Sequence, residues 1–218
     1  MNTDALKIVE PQPAALEGTQ NTSPLQWLAD AVTRHVVQRV AAFRRTTAEQ
    51  SCDFDGMNET AAVVVLSKIF EGLGFDPYFE QKVYGESRAR LDLWVGEPDG
   101  TPAWYLEAKI IWDGCDQRLN RARFLGNGEI LGDLVRLSEC EAEPAVRKVA
   151  VWIAFSDREA FAPIDSGTKA LRLGDAISLV TSTLPSAKLA SQRSVDLGRF
   201  ANCVASARYL HVLCWTIE

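Results

Sequence analysis

Residues 90–111 read Arg90-Leu-Asp-Leu-Trp-Val-Gly-Glu-Pro-Asp-Gly-Thr-Pro-Ala-Trp-Tyr-Leu-Glu-Ala-Lys-Ile-Ile111. Two apolar runs flank Pro98-Asp99-Gly100, which is a turn signal. An Asp-Gly pair between strand-like runs favours a tight hairpin, because such turns need positive φ that Asp and Gly tolerate. With Asp99-Gly100 as a two-residue loop, Pro98 opposes Thr101, and counting back along both strands sets Asp92 opposite Glu107. A four-residue loop centred on the same point gives the same register. Side chains alternate along a strand, so Glu107 and Lys109 share a face, and a directly opposed Asp92 shares it too. Like charges held opposite one another are unfavourable unless a cation sits between them. The register therefore predicts a divalent metal site with a lysine beside it.

The plainer alternative is a surface hairpin with a solvated Glu-Lys pair, which contributes little to stability. Against it, Ala103-Trp-Tyr-Leu106 precedes Glu107 and Ile110-Ile-Trp112 follows Lys109, whereas a strand facing water on one side alternates more cleanly. Glu80-Gln81-Lys82 also has the E-x-K form. Only Asp76 lies shortly upstream of it, too close to occupy a neighbouring strand.

Upstream, the segment from Asn58 to Gly74 has helical spacing. Glu59, Val63, Leu66 and Phe70 form one stripe, with Ala62, Ile69 and Leu73 adjoining it. An acid on an apolar stripe should be paired or metal-linked if buried. The alternative for Glu59 is a first-turn carboxylate favoured by the helix dipole. Gly72 and Gly74 suit a C-cap.

The chain has 218 residues, 47% hydrophobic and 24% charged, which suits one domain with a sizeable core. No apolar run reaches the roughly 18 residues of a membrane span. The N-terminus lacks the basic-then-apolar pattern of a signal peptide. Five cysteines, Cys52, Cys115, Cys140, Cys203 and Cys214, form no C-x-x-C pair, which argues against a zinc site or a disulfide framework. A cytoplasmic, reducing location is expected. The formal net charge of −6 runs against the basic balance usual in nucleic-acid binders. It is tolerable if basic residues gather on one face and a metal supplies charge at the site.

Residues 1–24 are rich in Pro, Gln, Thr, Asn and Glu and read as a flexible tail, leaving 25–218 as a single domain. A first helix is expected over Leu25 to Phe43, carrying His35 as a packed or partly exposed residue. The second helix spans about 57–71, a strand runs from Tyr78 to Tyr84, and the hairpin follows. Asp116 is placed to cap a short helix carrying Arg118, Arg121 and Arg123, which Gly126-Asn127-Gly128 breaks. Helical spacing resumes over Glu129 to Leu137. Lys148 to Phe155 is almost continuously apolar, as in a strand buried on both faces. A further helix near Gly174 to Ser182 and a last strand near Arg208 to Thr216 complete the reading, with His211 in a structural role. Repeats, Walker loops, G-x-S-x-G and H-E-x-x-H elements are absent from the sequence.

Asp92 and Glu107-Ala108-Lys109, with the helix before them, resemble the PD-(D/E)xK nuclease superfamily, the restriction-endonuclease-like proteins. The resemblance covers about residues 55–155. Leu91 stands where the motif's name has proline, and no Gln-x-x-x-Tyr element follows the lysine, since Arg121 stands four positions after Gln117. The resemblance implies an α/β fold whose core runs helix, three-stranded antiparallel meander, helix, strand, in a mixed sheet flanked by helices. It implies metal-dependent hydrolysis of DNA, with Asp92, Glu107 and the Ala108 carbonyl holding Mg²⁺ or Mn²⁺. Lys109 would then serve the attacking water and the phosphate, and Glu59 a second metal or water. Arg90, Arg118 and Arg121 would hold phosphates, while Trp94 and Trp104 belong to the core.

DNA is thus the expected partner, a membrane is not, and a homodimer stays open. Two rivals remain. One is a non-catalytic nucleic-acid- or protein-binding module on the same fold, which the acidic balance favours. The other is a structural α/β interaction protein in which the triad is coincidence.

Overall fold

Leu28, Val32, Val36 and Val40 recur at helical spacing and are fully buried, so one face of the first helix, α1 (Gln26–Thr46), is pressed into the core. The computed structural model describes residues 23–46, 57–85, 89–113, 130–157, 172–197 and 207–218. The expected tail therefore lies almost wholly outside the described residues, as does the helix expected from Asp116, with Arg118 and Arg121.

The second helix, α2 (Glu59–Gly72), starts where Asn58 accepts the Ala61 N–H at 2.8 Å, a side-chain N-cap. It ends against Gly74, whose φ of +88° is the left-handed geometry a C-cap needs. Val63, Leu66 and Phe70 are buried, as the stripe predicts, while Glu59 at its head is exposed. Phe70 meets Trp104 of the sheet at 5.4 Å between ring centroids, and Trp27 of α1 meets Trp104 at 6.1 Å. Such aromatic pairs contribute about 0.5–1.5 kcal/mol each beyond their burial. They fix α2, and with it Glu59, against the strand that carries Glu107.

Six strands form one mixed sheet: β1 (Asp76–Gln81), β2 (Leu91–Gly96), β3 (Pro102–Asp113), β4 (Arg147–Ser156), β5 (Ala187–Asp196) and β6 (Tyr209–Ile217). Their order is β1-β2-β3-β4-β6-β5. All neighbours are antiparallel except β3 and β4. The parallel pair needs a crossover, and α3 (Ile130–Glu139) lies on that connection. The last helix, α4 (Leu173–Thr183), lies between β4 and β5 in the chain. The sheet is covered on both faces. Leu93, Val95, Leu106 and Ala108 pack with α1 and α2, while Tyr105, Ile111, Ala150 and Trp152 pack with α3 and α4. Burial on both sides accounts for the nearly unbroken apolar run of β4.

Two elements differ from expectation. The strand expected over Tyr78 to Tyr84 stops at Gln81, just past Glu80, whose φ of +50° leaves the extended region. Tyr84 is thereby free of the ladder. The second difference is β5, which the sequence reading passed over. It is an edge strand of mostly polar, partly exposed residues, so it lacks the apolar alternation that marks a strand.

His211 is 1% exposed, and its Nδ1 lies 2.8 Å from the Ser194 hydroxyl, a packed histidine as expected. His35 is partly buried, which together with Arg34 and Lys68 holds its imidazole below the usual histidine range. Cys140 and Cys214 are free and buried. No helix among the described residues is long and apolar enough to cross a membrane.

Candidate active site at the head of the hairpin

The hairpin turn differs from the two-residue loop, yet the register is the expected one. Gly100 N–H donates to the Glu97 carbonyl and Glu97 N–H to the Thr101 carbonyl, both at 2.8 Å, with Gly100 at φ +84°. This is a tight turn closed by a glycine in the left-handed region, and it leaves three residues between Glu97 and Thr101. Asp99 accepts the Thr101 N–H at 2.9 Å, the local bond that makes Asp a turn residue. The odd loop residue is offset by a register shift: Gly96 faces Pro102 while Val95 faces Trp104. Beyond that bulge Leu93 pairs with Leu106, so one further step sets Asp92 opposite Glu107.

Asp92 Oδ2 accepts the Ala108 N–H at 2.8 Å, which fastens the β2 carboxylate to the strand of the E-x-K element. Glu107 is only 6% exposed and accepts the Tyr84 hydroxyl. Burial, and then the Asp92 charge, push the Glu107 carboxyl up to about 10. Tyr84 is raised as well, by burial and then by Glu107. Burial and the Asp92 charge thereby favour the protonated form of Glu107.

Lys109 lies on the same face of β3 but does not pair with Glu107. Its Nζ is 2.7 Å from Asp133 Oδ2 and 3.1 Å from Glu59 Oε1. Burial pulls the ammonium pKa down, but Asp133 and Glu59 outweigh it and hold the group above the usual lysine range. Glu59 reaches Lys109 from the other layer of the fold. Glu59 thus pairs with Lys109 from an exposed first turn, not from within the apolar stripe.

Asp133 was missed. It lies on α3 among Ile130, Leu131, Leu134 and Leu137, is 8% exposed, and also pairs with Arg136. Burial raises its carboxyl, and Lys109 and Arg136 oppose that. The reasoning that singled out Glu59, an acid on an apolar helical stripe, would have found Asp133 too. Tyr84 was missed because it was assigned to a strand that ends before it. A cavity of about 10 Å³, room for about one water, lies between Glu107, Lys109, Asp133 and Trp152.

Asp92, Glu107, Lys109 and Glu59 are therefore brought together, and Arg90 is not. Its guanidinium is exposed and donates to the Glu80 carbonyl at 3.1 Å. Trp104 is buried in the core, and Trp94 stacks edge-on with Tyr78. Among the described residues, no group of three or more His, Cys, Asp or Glu side chains is arranged to hold a metal. A scan of family models, a search of curated proteins and a search of solved structures each found no match to this chain.

Proposed function

We propose that this protein is a metal-dependent nuclease of the PD-(D/E)xK type that hydrolyses DNA phosphodiester bonds. The observation that carries the reading is that Asp92, on β2, accepts the Ala108 N–H at 2.8 Å and so stands beside Glu107 on the antiparallel neighbour β3, with Lys109 two residues further along that strand. The element order of helix, three antiparallel strands, helix and parallel strand around that row supports it.

The donor set suits a hard cation. Two carboxylates, Asp92 and Glu107, stand side by side, and Asp133 and Glu59 are paired with Lys109. Mg²⁺ prefers few protein ligands and keeps several waters, so two carboxylates with a backbone carbonyl are enough to hold it; Mn²⁺ takes the same donors. Asp92, Glu107 and the Ala108 carbonyl are the proposed ligands. A bound cation would polarise the scissile phosphate and lower the pKa of a bound water.

The chain's own residues supply the rest. Glu107 must give up its proton to take a cation, and the Tyr84 hydroxyl holds its carboxylate in one orientation. Lys109 stays charged because two acids face it, so it offsets charge developing on the phosphate and orients the attacking water rather than taking its proton. Arg118 and Arg121 are the proposed phosphate contacts; Arg90, turned to the Glu80 carbonyl, would have to leave it to join them.

A non-catalytic binding module is the second reading. The net charge of −6 and the pairing of Lys109 with two carboxylates favour it. Incubation of the purified protein with double- and single-stranded DNA in Mg²⁺, Mn²⁺ and chelator tests the first reading. Cleavage that needs the cation and vanishes in Glu107→Gln is expected. Equal activity of the wild type and Glu107→Gln would overturn it.

A further inference from the structure

We infer that Asp133 is the positioning residue for Lys109, holding its ammonium at a fixed place beside Glu107. The catalytic consequence rests on the nuclease reading, whereas the positioning itself does not.

A lysine ammonium is a point charge on a flexible four-carbon stem and needs an anchor if it is to act at one place. Two carboxylates contact Lys109, and they are not equivalent. The Glu59 side chain is 53% exposed at the first turn of α2, whereas that of Asp133 is 11% exposed, and Lys109 itself is 16% exposed. Water competes for the first contact and is largely excluded from the second. Asp133 is also the nearer partner, at 2.7 Å against 3.1 Å. Glu59 is thus the displaceable partner, free to turn away when an anionic substrate enters, and Asp133 is the permanent one.

The geometry also ties Asp133 at both oxygens. Its Oδ2 is taken by Lys109, and its Oδ1 by the Arg136 guanidinium one turn further along α3. With a cation on each oxygen, the carboxylate is held in one orientation facing Lys109. Its backbone is equally fixed, because Leu134 and Leu137 on the same helix are fully buried. A charge held by a packed helix and oriented by a neighbouring guanidinium is what keeps a reacting group within the tolerance that chemistry needs.

The test compares Asp133→Asn, Asp133→Glu, Lys109→Ala and the double variant Asp133→Asn/Lys109→Ala in the full chain. Two readouts are taken, single-turnover DNA cleavage in saturating Mn²⁺ and the ¹⁵N signal of the Lys109 ammonium. In Asp133→Asn, kcat is expected to fall about 10- to 10²-fold, the scale of a small misplacement, with KM and Mn²⁺ affinity nearly unchanged. Asp133→Glu should recover part of the rate. The double variant should be no slower than Lys109→Ala alone, because Asp133 acts only through the lysine. The Lys109 signal should be sharp in the wild type and lost in Asp133→Asn. Multiplicative losses in the double variant, or an unchanged kcat in Asp133→Asn, would overturn the inference. Should the wild type cleave no DNA, the nuclease reading fails, and the ammonium signal alone decides whether Asp133 holds Lys109. A signal unaltered by Asp133→Asn would then dispose of the positioning role. Should Asp133→Asn fail to fold, Asp133→Glu in the Lys109 background gives the same comparison.

Discussion

Asp92 Oδ2 accepts the Ala108 backbone N–H at 2.8 Å, so a side chain of one strand fills a backbone position in its neighbour's ladder. The bond does two things. It satisfies a buried amide at the point where β2 begins, and it holds Asp92 against the strand that carries Glu107 and Lys109.

Asp92→Asn and Asp92→Ala should therefore separate structure from chemistry. Asn keeps an oxygen that can accept the Ala108 N–H, so its melting temperature should stay near the wild type. Ala leaves that amide without an acceptor, which costs about 1–3 kcal/mol. Both should abolish Mn²⁺-dependent cleavage, because both remove the charge. Thermal unfolding and a plasmid-nicking assay check this, and an Asn variant that still cleaves would exclude Asp92 as a ligand.

Glu107 gives a pH signature in the metal-free protein. Its carboxyl moves from 4.5 to about 10, pushed up by burial and then by Asp92, with Tyr84 and Asp133 the other titratable groups that face it. A group whose pKa is raised on folding binds more protons in the folded state. Its stability contribution is therefore complete below the unfolded value and is lost as pH rises toward the folded one. In chelator, stability should fall between about pH 4.5 and about pH 10, on the order of 3 kcal/mol of it by pH 7. Glu107→Gln keeps the shape without the titrating group, so its curve should lack this part of the fall. A denaturation series against pH, with and without Mn²⁺, measures both. Parallel curves for the two proteins would mean that Glu107 titrates normally.

The hairpin was legible because two independent local signals agreed, the Asp-Gly turn and the length of the flanking apolar runs. The register survived an error in the turn, since the third loop residue is offset by the bulge between Gly96 and Val95. The partners of the site were less legible for a physical reason. Lys109 is held by Asp133, which is 24 residues away across a crossover, and Tyr84 reaches Glu107 from 23 residues away. Neither spacing follows from a strand or helix period. Only packing of α3 on the sheet, and the end of β1 at Gln81, bring those groups in. The polar edge strand β5 escaped because exposure removes the alternation on which strand reading depends.

Tyr84→Phe tests whether the loop after β1 belongs to the site. The hydroxyl donates to Glu107, and both groups are largely buried. Its removal should cost about 1 kcal/mol of stability, the net worth of one such bond. If the bond orients Glu107 for a cation, Mn²⁺ affinity should fall several-fold as well. Calorimetric titration decides. Weaker folding with unaltered affinity would leave Tyr84 a packing residue only.

Lys109→Ala separates chemistry from scaffolding most directly. The lysine pairs with Asp133 rather than with Glu107, and the pair is mostly buried, so its loss leaves Asp133 with Arg136 alone. Breaking a pair so placed should cost on the order of 2 kcal/mol, more than an exposed pair and less than a fully buried one. If Lys109 acts only on the transition state, kcat should also fall by about 10²-fold or more while Mn²⁺ affinity holds or rises. Affinity rises because a positive charge beside the cation is removed. One cleavage assay and one binding titration distinguish the outcomes. Unchanged cleavage would show that the chemistry does not need the lysine and leave it a scaffolding residue. Lost cation binding would mean instead that the lysine organises the acids around it: without its charge, Asp133 and Glu59 would add uncompensated negative charge beside Glu107 and favour its protonated form, which cannot bind a metal.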